Sequence, residues 1–204
     1  KEEKVWWFYR VGFYYLGQFH YMKNDVEKVY DYIDQGIDCA FNSSPIWAFH
    51  LYYTGTLAAL SRNDVTKAQA YVQSVRDLVR INDIPEYEDY IRAFEVEMAL
   101  RTNEIKRAWD LSQKASYDIH PPVYYYYVPQ FTRIKLYMRM DDEFLLKQAG
   151  EQIQKIKESI KENRVHHALI QVTLLEAIWH HHCKDDTSAL NSLREAITLV
   201  HEPD

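Results

Sequence analysis

The chain repeats one short phrase three times: NDVEKV at residues 24–29, NDVTKA at 63–68 and NEIKRA at 103–108. Two weaker copies end at Ala149 and Ala189. The final residues of the five copies, which we call the anchors, lie 39, 40, 41 and 40 residues apart. A phrase that recurs at nearly constant spacing indicates an internal structural repeat. The anchors are Val29, Ala68, Ala108, Ala149 and Ala189.

Each anchor begins an apolar stripe with helical spacing. In the second copy, Ala68 is followed by Val72 and Val75, and such steps of three and four residues lie on one face of a helix. A second apolar stretch, rich in aromatic residues and long enough for a helix, precedes each phrase. The sequence therefore predicts pairs of helices, A followed by B. The other stripes are Val29/Ile33/Ile37, Ala108/Leu111/Ala115, Ala149/Ile153/Ile156 and Ala189/Leu193/Ala196.

One helix pair cannot bury its own apolar face, so the pairs are expected to stack on one another. We predict an all-α fold, a right-handed superhelical solenoid of five antiparallel helix pairs without a β-sheet. No linker or change in composition interrupts the series, so residues 1–204 are predicted to form a single domain. Because KEEK at residues 1–4 leads directly into an aromatic run without an initiator Met, we interpret the chain as a fragment of a longer protein.

Proline and capping residues mark the boundaries between the predicted pairs. NSSP at residues 42–45 offers a capping side chain before a proline at the first helical position, and NDIPE at 82–86 opens the third pair in the same way. His120-Pro121-Pro122 separates the third pair from the fourth. Pro129 falls within the stretch expected to form the fourth helix A. The sequence leaves open whether that helix kinks there or begins late, near Val128.

Composition and charge exclude several classes of protein. A net charge of −6 argues against a dedicated nucleic-acid surface, because affinity for nucleic acids comes mostly from neutralised phosphates. No apolar run reaches the roughly 18 residues of a membrane helix. Two cysteines far apart in the sequence, Cys39 and Cys183, suit a reducing compartment. We therefore predict a cytoplasmic protein whose chain contacts neither nucleic acid nor membrane.

The pattern around the anchors resembles the tetratricopeptide repeat. In that family a Leu-Gly pair on helix A precedes a small anchor on helix B, and another small residue follows seven positions later. Leu16-Gly17, Val29 and Gly36 follow the pattern, although Val29 is bulkier than the family's residue. The family repeat is about 34 residues long, so the longer spacing here implies longer helices. The remaining matches are Ala108 with Ala115 and Ala189 with Ala196, whereas the second and fourth repeats carry Val75 and Ile156 at the later position.

Lengthened repeats of this kind resemble the superhelical sensor region of MalT-type, LuxR-family transcriptional regulators. The most similar stretch runs from Arg133 to Pro203 and includes YMRMDD at 137–142 and LVHEP at 199–203. The resemblance implies a region that senses an effector or an inhibitory partner, while separate ATPase and helix-turn-helix modules perform the other steps. No glycine-rich phosphate loop is found in this sequence.

The stretch HHHC at residues 180–183 raises the question of a metal site. Successive helical residues point about 100° apart, so only His180 and Cys183 share a face. A zinc site needs three or four ligands, and His166 and His167 lie at a distance along the same helix. We interpret the triplet as a neutral helix end and predict neither metal nor cofactor. No Ser–His–Asp or Cys–His arrangement has a recognisable context, and we predict that the protein is not an enzyme.

Aromatic residues make up 15% of the chain and concentrate on the predicted A helices. The resemblance implies that these helices line a concave surface. Stacking faces with hydroxyl or indole groups suit a sugar or an extended peptide. The alternative is that the aromatic residues fill helix interfaces, and the run Tyr124–Tyr127 cannot all point inward. The predicted groove contains Tyr14, Tyr53, Tyr90 and Phe131, with Trp47, His50, Tyr87 and Tyr127 beside them.

Two functions remain open from the sequence. The leading interpretation is the ligand- or protein-sensing region of a bacterial LuxR/MalT-type regulator, whose partner is a small effector such as a sugar or a partner protein. The alternative is a generic tetratricopeptide adaptor that binds a peptide and has no link to transcription. Peptide grooves normally carry Lys, Arg or Asn, so the aromatic lining favours a small neutral ligand. The sequence does not identify the effector, the flanking modules or the oligomeric state.

Overall fold

A computed structural model describes residues 2–40, 45–117, 129–163 and 165–201. Within these ranges the chain forms ten α-helices and one short 3₁₀ helix at Pro85–Tyr87, and no β-strand, which confirms the all-α class. No helix in these ranges combines the length and the apolar character required to cross a membrane. The α-helices are α1 Glu2–Met22, α2 Val26–Ala40, α3 Pro45–Ser61, α4 Val65–Asn82, α5 Glu88–Arg101, α6 Ile105–Ser112, α7 Pro129–Arg139, α8 Glu143–Asn163, α9 His166–His182 and α10 Asp186–His201.

The repeated Asn-Asp pair builds the turn between helix A and helix B. Asn63 has a φ of 58°, in the left-handed region that asparagine tolerates better than most residues. The amide of Asp64 then donates to the carbonyl of Ala59 at 2.9 Å, which closes the last turn of α3. The carboxylate of Asp64 in turn accepts from the amide of Lys67 at 2.9 Å and caps α4. One dipeptide therefore ends one helix and begins the next.

The left-handed turn recurs at three of the other four A–B junctions, and the junction before α8 has no residue with a positive φ. Asn24 and Asn103 also have positive φ values, 58° and 61°. Before α10 the left-handed position is occupied by Lys184, with a φ of 62°, and Asp185 caps the helix by accepting from the amide of Ser188 at 3.0 Å. Before α8, Asp142 caps by accepting from Leu145 at 3.0 Å.

Replacing Lys184 with glycine is expected to stabilise the protein by about 0.5–1 kcal/mol. A side chain with a Cβ is strained in the left-handed conformation, and glycine is not. Chemical denaturation of the variant measures the change. Lys147→Gly, an exposed substitution within α8, is the matched control and should destabilise by about 1 kcal/mol. A loss of stability in both variants would contradict the strained turn.

One helix boundary corrects the sequence prediction and another stays open. Helix α7 is described from Pro129, and the residues before it lie outside the described ranges, so both the kink and the late start of the fourth helix A stay predictions. Helix α6 ends at Ser112, which leaves Ala115 outside the helix; its assignment to the helical stripe of the third repeat was wrong. The hydroxyl of Ser112 donates to the carbonyl of Trp109 at 2.8 Å, a local bond that competes with helix continuation.

Packing divides the chain into two compact units, Lys1–Thr102 and Asn103–Asp204. In the first unit, α3 packs against α1, α2 and α4, and α4 also contacts α5. The anchors Val29 and Ala68 are fully buried there. Every residue from 48 to 60 is buried as well, as expected for a helix that is apolar on all sides. Helix α3 is therefore the centre of the first unit.

The second unit contains α6 to α10. Helix α8 packs between α7 and α9, and α9 packs against α10. The anchors Ala108 and Ala149 are fully buried, whereas Ala189 is partly exposed. The prediction of a single domain over residues 1–204 stays a prediction. The core of this unit is built around Phe131, Ile134, Ile153, Ile160, Val172 and Leu175.

Candidate functional site

The first unit contains an aromatic cluster in which six of the predicted site residues meet. Tyr14 of α1 lies 5.6 Å from the ring of His50 and 6.0 Å from that of Trp47, both on α3. One turn further along α3, Tyr53 lies 6.4 Å from Tyr90 of α5, measured between ring centroids. Tyr87 lies 5.9 Å from Tyr90. The three helices thus bring into contact side chains that are far apart in the sequence.

Phe49 and Phe94, which the sequence analysis did not select, form the base of this cluster. The ring of Phe49 is 4.4 Å from that of Tyr53 and 4.1 Å from that of Tyr87, in edge-to-face geometry. Phe94 stacks on Tyr53 at 4.4 Å. Both phenylalanines are fully buried. Ring pairs in these geometries add about 0.5–1.5 kcal/mol each beyond the area that they bury, so these contacts stabilise the base.

Burial separates the cluster into a base and a surface. Tyr14, His50 and Tyr53 also belong to the base. They are only 2%, 4% and 6% exposed, and they offer almost no area to a ligand. Trp47, Tyr87 and Tyr90 are partly exposed. We call these three residues the aromatic rim. Of the predicted groove in the first unit, only the rim offers a surface for binding, while the other three residues support it.

The base of the cluster is electrically neutral at physiological pH. Burial lowers the pKa of His50 to about 3, because the charged imidazolium would lose its hydration there. Two buried threonines of α3 are also satisfied locally: Thr54 donates to the carbonyl of His50 at 3.0 Å and Thr56 to that of Tyr52 at 2.8 Å. The rim therefore rests on a neutral support.

Two of the predicted site residues do not join this cluster. Phe131 lies in the second unit and is 4% exposed within the core formed with Ile134 and Ile153. The first turn of α7 places it on the inner side of that helix, so it packs as a core residue and we remove it from the candidate site. Tyr127, with the whole run Tyr124–Tyr127, lies outside the described residues.

A surface cleft lies elsewhere in the first unit, between the end of α4 and the start of α5. Its lining is mixed in charge and includes Gln73, Arg76, Arg80 and Glu88. Arg76 forms an ion pair with Glu95, and Arg80 is paired with Asp77 at 3.1 Å. The cleft therefore presents two arginines and an amide group, and neighbouring carboxylates partly neutralise the charge of the arginines.

The histidine triplet forms the last turn of α9. His181 lies 2.9 Å from a carboxylate oxygen of Asp186, and Cys183 is exposed just after the helix. In the described ranges, no group of three or more His, Cys, Asp or Glu side chains is placed to hold a metal ion. His181 and His182 are exposed at the end of α9, where polar side chains stay in contact with water.

The second unit contains a buried ionic network that the sequence analysis missed. The ammonium group of Lys157 on α8 donates to Glu176 of α9 at 2.6 Å and to Glu195 of α10 at 3.0 Å. Glu176 also accepts from Gln154 at 2.7 Å and from Ser192 at 3.2 Å. Lys157 and Glu176 are both buried. The network therefore ties three helices together through two carboxylates and one ammonium group.

Hydrogen bonding outweighs burial in setting the charges of this network. Burial alone would raise the pKa of Glu176, but the bonds from Lys157, Gln154 and Ser192 hold that pKa below its usual value. Burial alone would lower the pKa of Lys157, but its bonds to Glu176 and Glu195 raise that pKa. Both groups are therefore charged at neutral pH.

Acidification is expected to destabilise the protein through Glu176. Its pKa is about 4.3 in an unfolded chain and lower in the folded one, so its contribution is present above the unfolded pKa. The contribution is lost as the pH falls through the folded pKa. Urea denaturation at a series of acidic pH values measures this loss. Glu176→Gln should flatten the profile, whereas Glu158→Gln, an exposed control on α8, should not; equal profiles for both variants would contradict the assignment.

No protein-family model, curated protein or solved structure matches the chain. The resemblances to the tetratricopeptide repeat and to MalT-type regulators therefore stay predictions from the sequence. The candidate site of this chain is the aromatic rim, Trp47, Tyr87 and Tyr90, on its buried base.

Proposed function

We propose that this chain is a binding module without catalytic activity, built as a tetratricopeptide-like, right-handed solenoid of five antiparallel helix pairs. The recurring left-handed turn residues Asn24, Asn63, Asn103 and Lys184 support the repeat. So do the four anchors that are fully buried, from Val29 to Ala149. In this proposal the partner binds at the aromatic rim of the first unit.

The observation that carries the proposal is the gradient of burial across the aromatic cluster. Trp47, Tyr87 and Tyr90 are partly exposed, while Phe49 and Phe94 hold them from below and are fully buried. Aromatic side chains with few rotatable bonds lose little entropy when they bind, and each combines an apolar face with a polar edge. A rim that is already fixed by packing needs little further ordering on binding. Such a rim favours recognition over a purely structural role.

The chemistry of the rim favours a neutral ligand with flat apolar faces. The neutral imidazole of His50 beneath it provides no charge for an anion. The hydrophobic face of a sugar ring stacks well on Trp and Tyr, whose hydroxyl and indole groups bond sugar hydroxyls. We therefore propose a neutral oligosaccharide or similar effector. With the sequence resemblance, this makes the chain the sensing region of a bacterial LuxR/MalT-type transcriptional regulator in the cytoplasm.

One observation favours the alternative, an adaptor that binds a peptide. The cleft beside α4 contains Gln73, Arg76 and Arg80, and groups of this kind grip the backbone and carboxylates of a peptide. A bound peptide would then contact this cleft. An oligosaccharide held by stacking would not require it. The two candidates therefore differ in whether Arg80, whose side chain is 78% exposed, contributes to affinity.

Binding measurements with two kinds of probe test the proposal. A panel of neutral oligosaccharides is titrated by calorimetry, and peptides are selected against the wild-type protein from a displayed library. Tyr87→Ala/Tyr90→Ala is expected to weaken the best ligand at least tenfold, about 1.4 kcal/mol, because two stacking faces are lost. Phe144→Ala, an exposed aromatic in the second unit, is the matched control and should bind as the wild type does.

The binding results distinguish the oligosaccharide sensor from the peptide adaptor. Oligosaccharide binding that Arg80→Ala leaves unchanged supports the sensor, and peptide binding that Arg80→Ala weakens supports the adaptor. Wild-type affinity in the rim variant would contradict the rim as the binding site, whichever ligand binds. Circular dichroism of the variant must show the wild-type helical signal, so that lost binding is not confused with unfolding.

A further inference from the structure

One face of helix α5 changes from aromatic to polar along its length. It carries Tyr90, Phe94, Glu97 and Arg101 at steps of three and four residues, the spacing of one helical face. Tyr90 and Phe94 belong to the aromatic cluster. Glu97 lies seven residues after Tyr90, which corresponds to about 10 Å along the helix axis. The polar pair therefore lies beyond the rim on the same face of α5.

Helix α1 shows the same change on the face that packs on α3. Tyr14 belongs to the base of the aromatic cluster, and Gln18 and Tyr21 follow it at steps of four and three residues. The amide group of Gln18 donates to the hydroxyl of Thr54 on α3. Both α1 and α5 therefore continue from the aromatic cluster into a polar segment towards their C-terminal ends.

The repeat does not require polar residues at these positions. Gln18 and Glu97 both lie eleven residues before an anchor. At the same position α3 and α7 carry Leu57 and Met138, which are buried apolar residues. Gln18 and Glu97 are buried as well, and a buried polar group costs free energy unless it is hydrogen-bonded. Polar residues that interrupt the apolar pattern of a fold in this way indicate a functional site.

The end of α5 offers hydrogen-bond donors to a ligand. The Nε group of Arg101 donates to a carboxylate oxygen of Glu97 at 3.0 Å. The side chain of Glu97 is 4% exposed and that of Arg101 is 39% exposed, so a buried carboxylate holds one edge of an accessible guanidinium. Among the described residues, nothing accepts from the Nη groups of Arg101, and the hydroxyl of Tyr21 has no hydrogen-bond partner.

Electrostatics place Tyr21 beside this ion pair. Burial raises the pKa of Tyr21, while the positive charge of Arg101 lowers that pKa and the negative charge of Glu97 raises it. Both charges at the end of α5 thus act on a hydroxyl of α1. The charges of Glu97 and Arg101 cancel, so the region is polar without a net charge. We call Tyr21, Glu97 and Arg101 the polar subsite.

We propose that the polar subsite binds the hydroxyl groups of a further ring of a neutral oligosaccharide whose first ring stacks on the aromatic rim. This inference rests on the proposed function and narrows the effector to sugars of more than one ring. A planar guanidinium can donate to two neighbouring oxygens at once, and adjacent sugar hydroxyls present oxygens in that arrangement. Arg101 and Tyr21 bond the sugar, while Glu97 holds the guanidinium and cancels its charge.

Titrations followed by nuclear magnetic resonance test the subsite with linear oligosaccharides of glucose, mannose and N-acetylglucosamine and with the free monosaccharides. The wild type is expected to bind an oligosaccharide more tightly than its monosaccharide. Arg101→Lys keeps a positive charge beside Glu97 but loses the planar fork, and should weaken the oligosaccharide about tenfold. Tyr21→Phe removes one hydroxyl and should weaken it about fivefold. Neither variant should change the affinity for the monosaccharide, which needs only the rim.

The matched controls are Arg62→Lys and Tyr15→Phe, at exposed positions of the same unit, and both should bind as the wild type does. If Arg101→Lys loses its helical signal, Tyr21→Phe decides the test.

Wild-type oligosaccharide affinity in the subsite variants, together with lost binding in Tyr87→Ala/Tyr90→Ala, would overturn the subsite and leave the proposed function standing. Equal weakening of oligosaccharide and monosaccharide would also overturn the subsite. A wild type that binds no sugar, or binds only selected peptides that Arg101→Lys weakens, would overturn the subsite and the sugar sensor together.

Discussion

Replacing Lys157 with methionine is expected to lower the free energy of unfolding by about 3–5 kcal/mol. The substitution preserves the length and most of the packing of the side chain, but it removes the ammonium group that bonds Glu176 and Glu195. Glu176 is then left as a buried carboxylate without its counter-charge, which is the costly state. Urea denaturation followed by circular dichroism measures the change. Glu195 contributes less, because 43% of its side chain is exposed and water can replace the lost bond.

Two further variants show whether the unpaired charge of Glu176 causes the loss of stability. Lys157→Met/Glu176→Leu removes both charges and should recover most of the loss, since an apolar pair in place of a buried ion pair is often neutral. Lys155→Met, an exposed position on the same helix, should change stability by less than about 0.5 kcal/mol. If the double variant is less stable than Lys157→Met, the network stabilises the unit in some way other than by pairing charges.

Replacing Tyr53 with alanine is expected to cost about 3–5 kcal/mol, as for other large aromatic residues in a core. Tyr53 contacts Phe49 and Phe94 at 4.4 Å each and lies near Tyr90. Its removal leaves a cavity at the centre of the cluster, where three helices meet. The melting temperature and urea denaturation of the variant measure the loss.

Tyr87→Ala is the matched control for Tyr53→Ala. Tyr87 is partly exposed and belongs to the rim, so its removal should cost only about 1–2 kcal/mol. This difference separates residues that support the site from residues that bind. Equal and small effects of the two substitutions would show that Tyr53 is not a core residue, and would return it to the binding surface.

The anchors could be predicted from the sequence because they depend on a local rule. The cap expected at NDIPE, residues 82–86, was wrong: Asp83, with a φ of 50°, ends α4, and the 3₁₀ helix follows Ile84 without a side-chain cap. The turn at Asn63 and Asp64 does follow the local rules for a left-handed position and a cap. Small residues at Ala68 and Ala108 fit the closest approach of packed helices, and both are fully buried. The end of α6 at Ser112 could not be predicted in this way, because neither proline nor glycine follows Ser112 to mark it.

Burial of the aromatic residues depends on neighbours that spacing alone does not reveal. Counting from the anchor places Tyr14, Tyr53 and Phe131 near one side of the A helices, but the next helix covers that side. Predicting which aromatic side chains are exposed therefore requires the contacts between successive A helices, such as that of Tyr53 with Phe94. The sequence supplies the position of a side chain in the repeat and not what packs on it.

The buried network was missed because the helical stripes were assigned from apolar residues alone. A signal for it was present in the sequence. Arg76 and Lys157 both lie eight residues after an anchor, and Glu95 and Glu176 both lie thirteen residues before one. Opposite charges at fixed offsets in a repeat indicate a contact between neighbouring helices, and the structure pairs both sets.

The indole N–H signal of Trp47, followed by nuclear magnetic resonance during titration with the best ligand, tests the proposed binding rim most directly. Trp47→Phe assigns the signal. Trp109 and Trp179 serve as internal controls in the second unit, where the indole of Trp179 donates to the carbonyl of Leu146 at 2.8 Å. The proposed rim predicts a saturable shift of the Trp47 signal while those of Trp109 and Trp179 stay fixed. Shifts at Trp109 or Trp179 with none at Trp47 would contradict it.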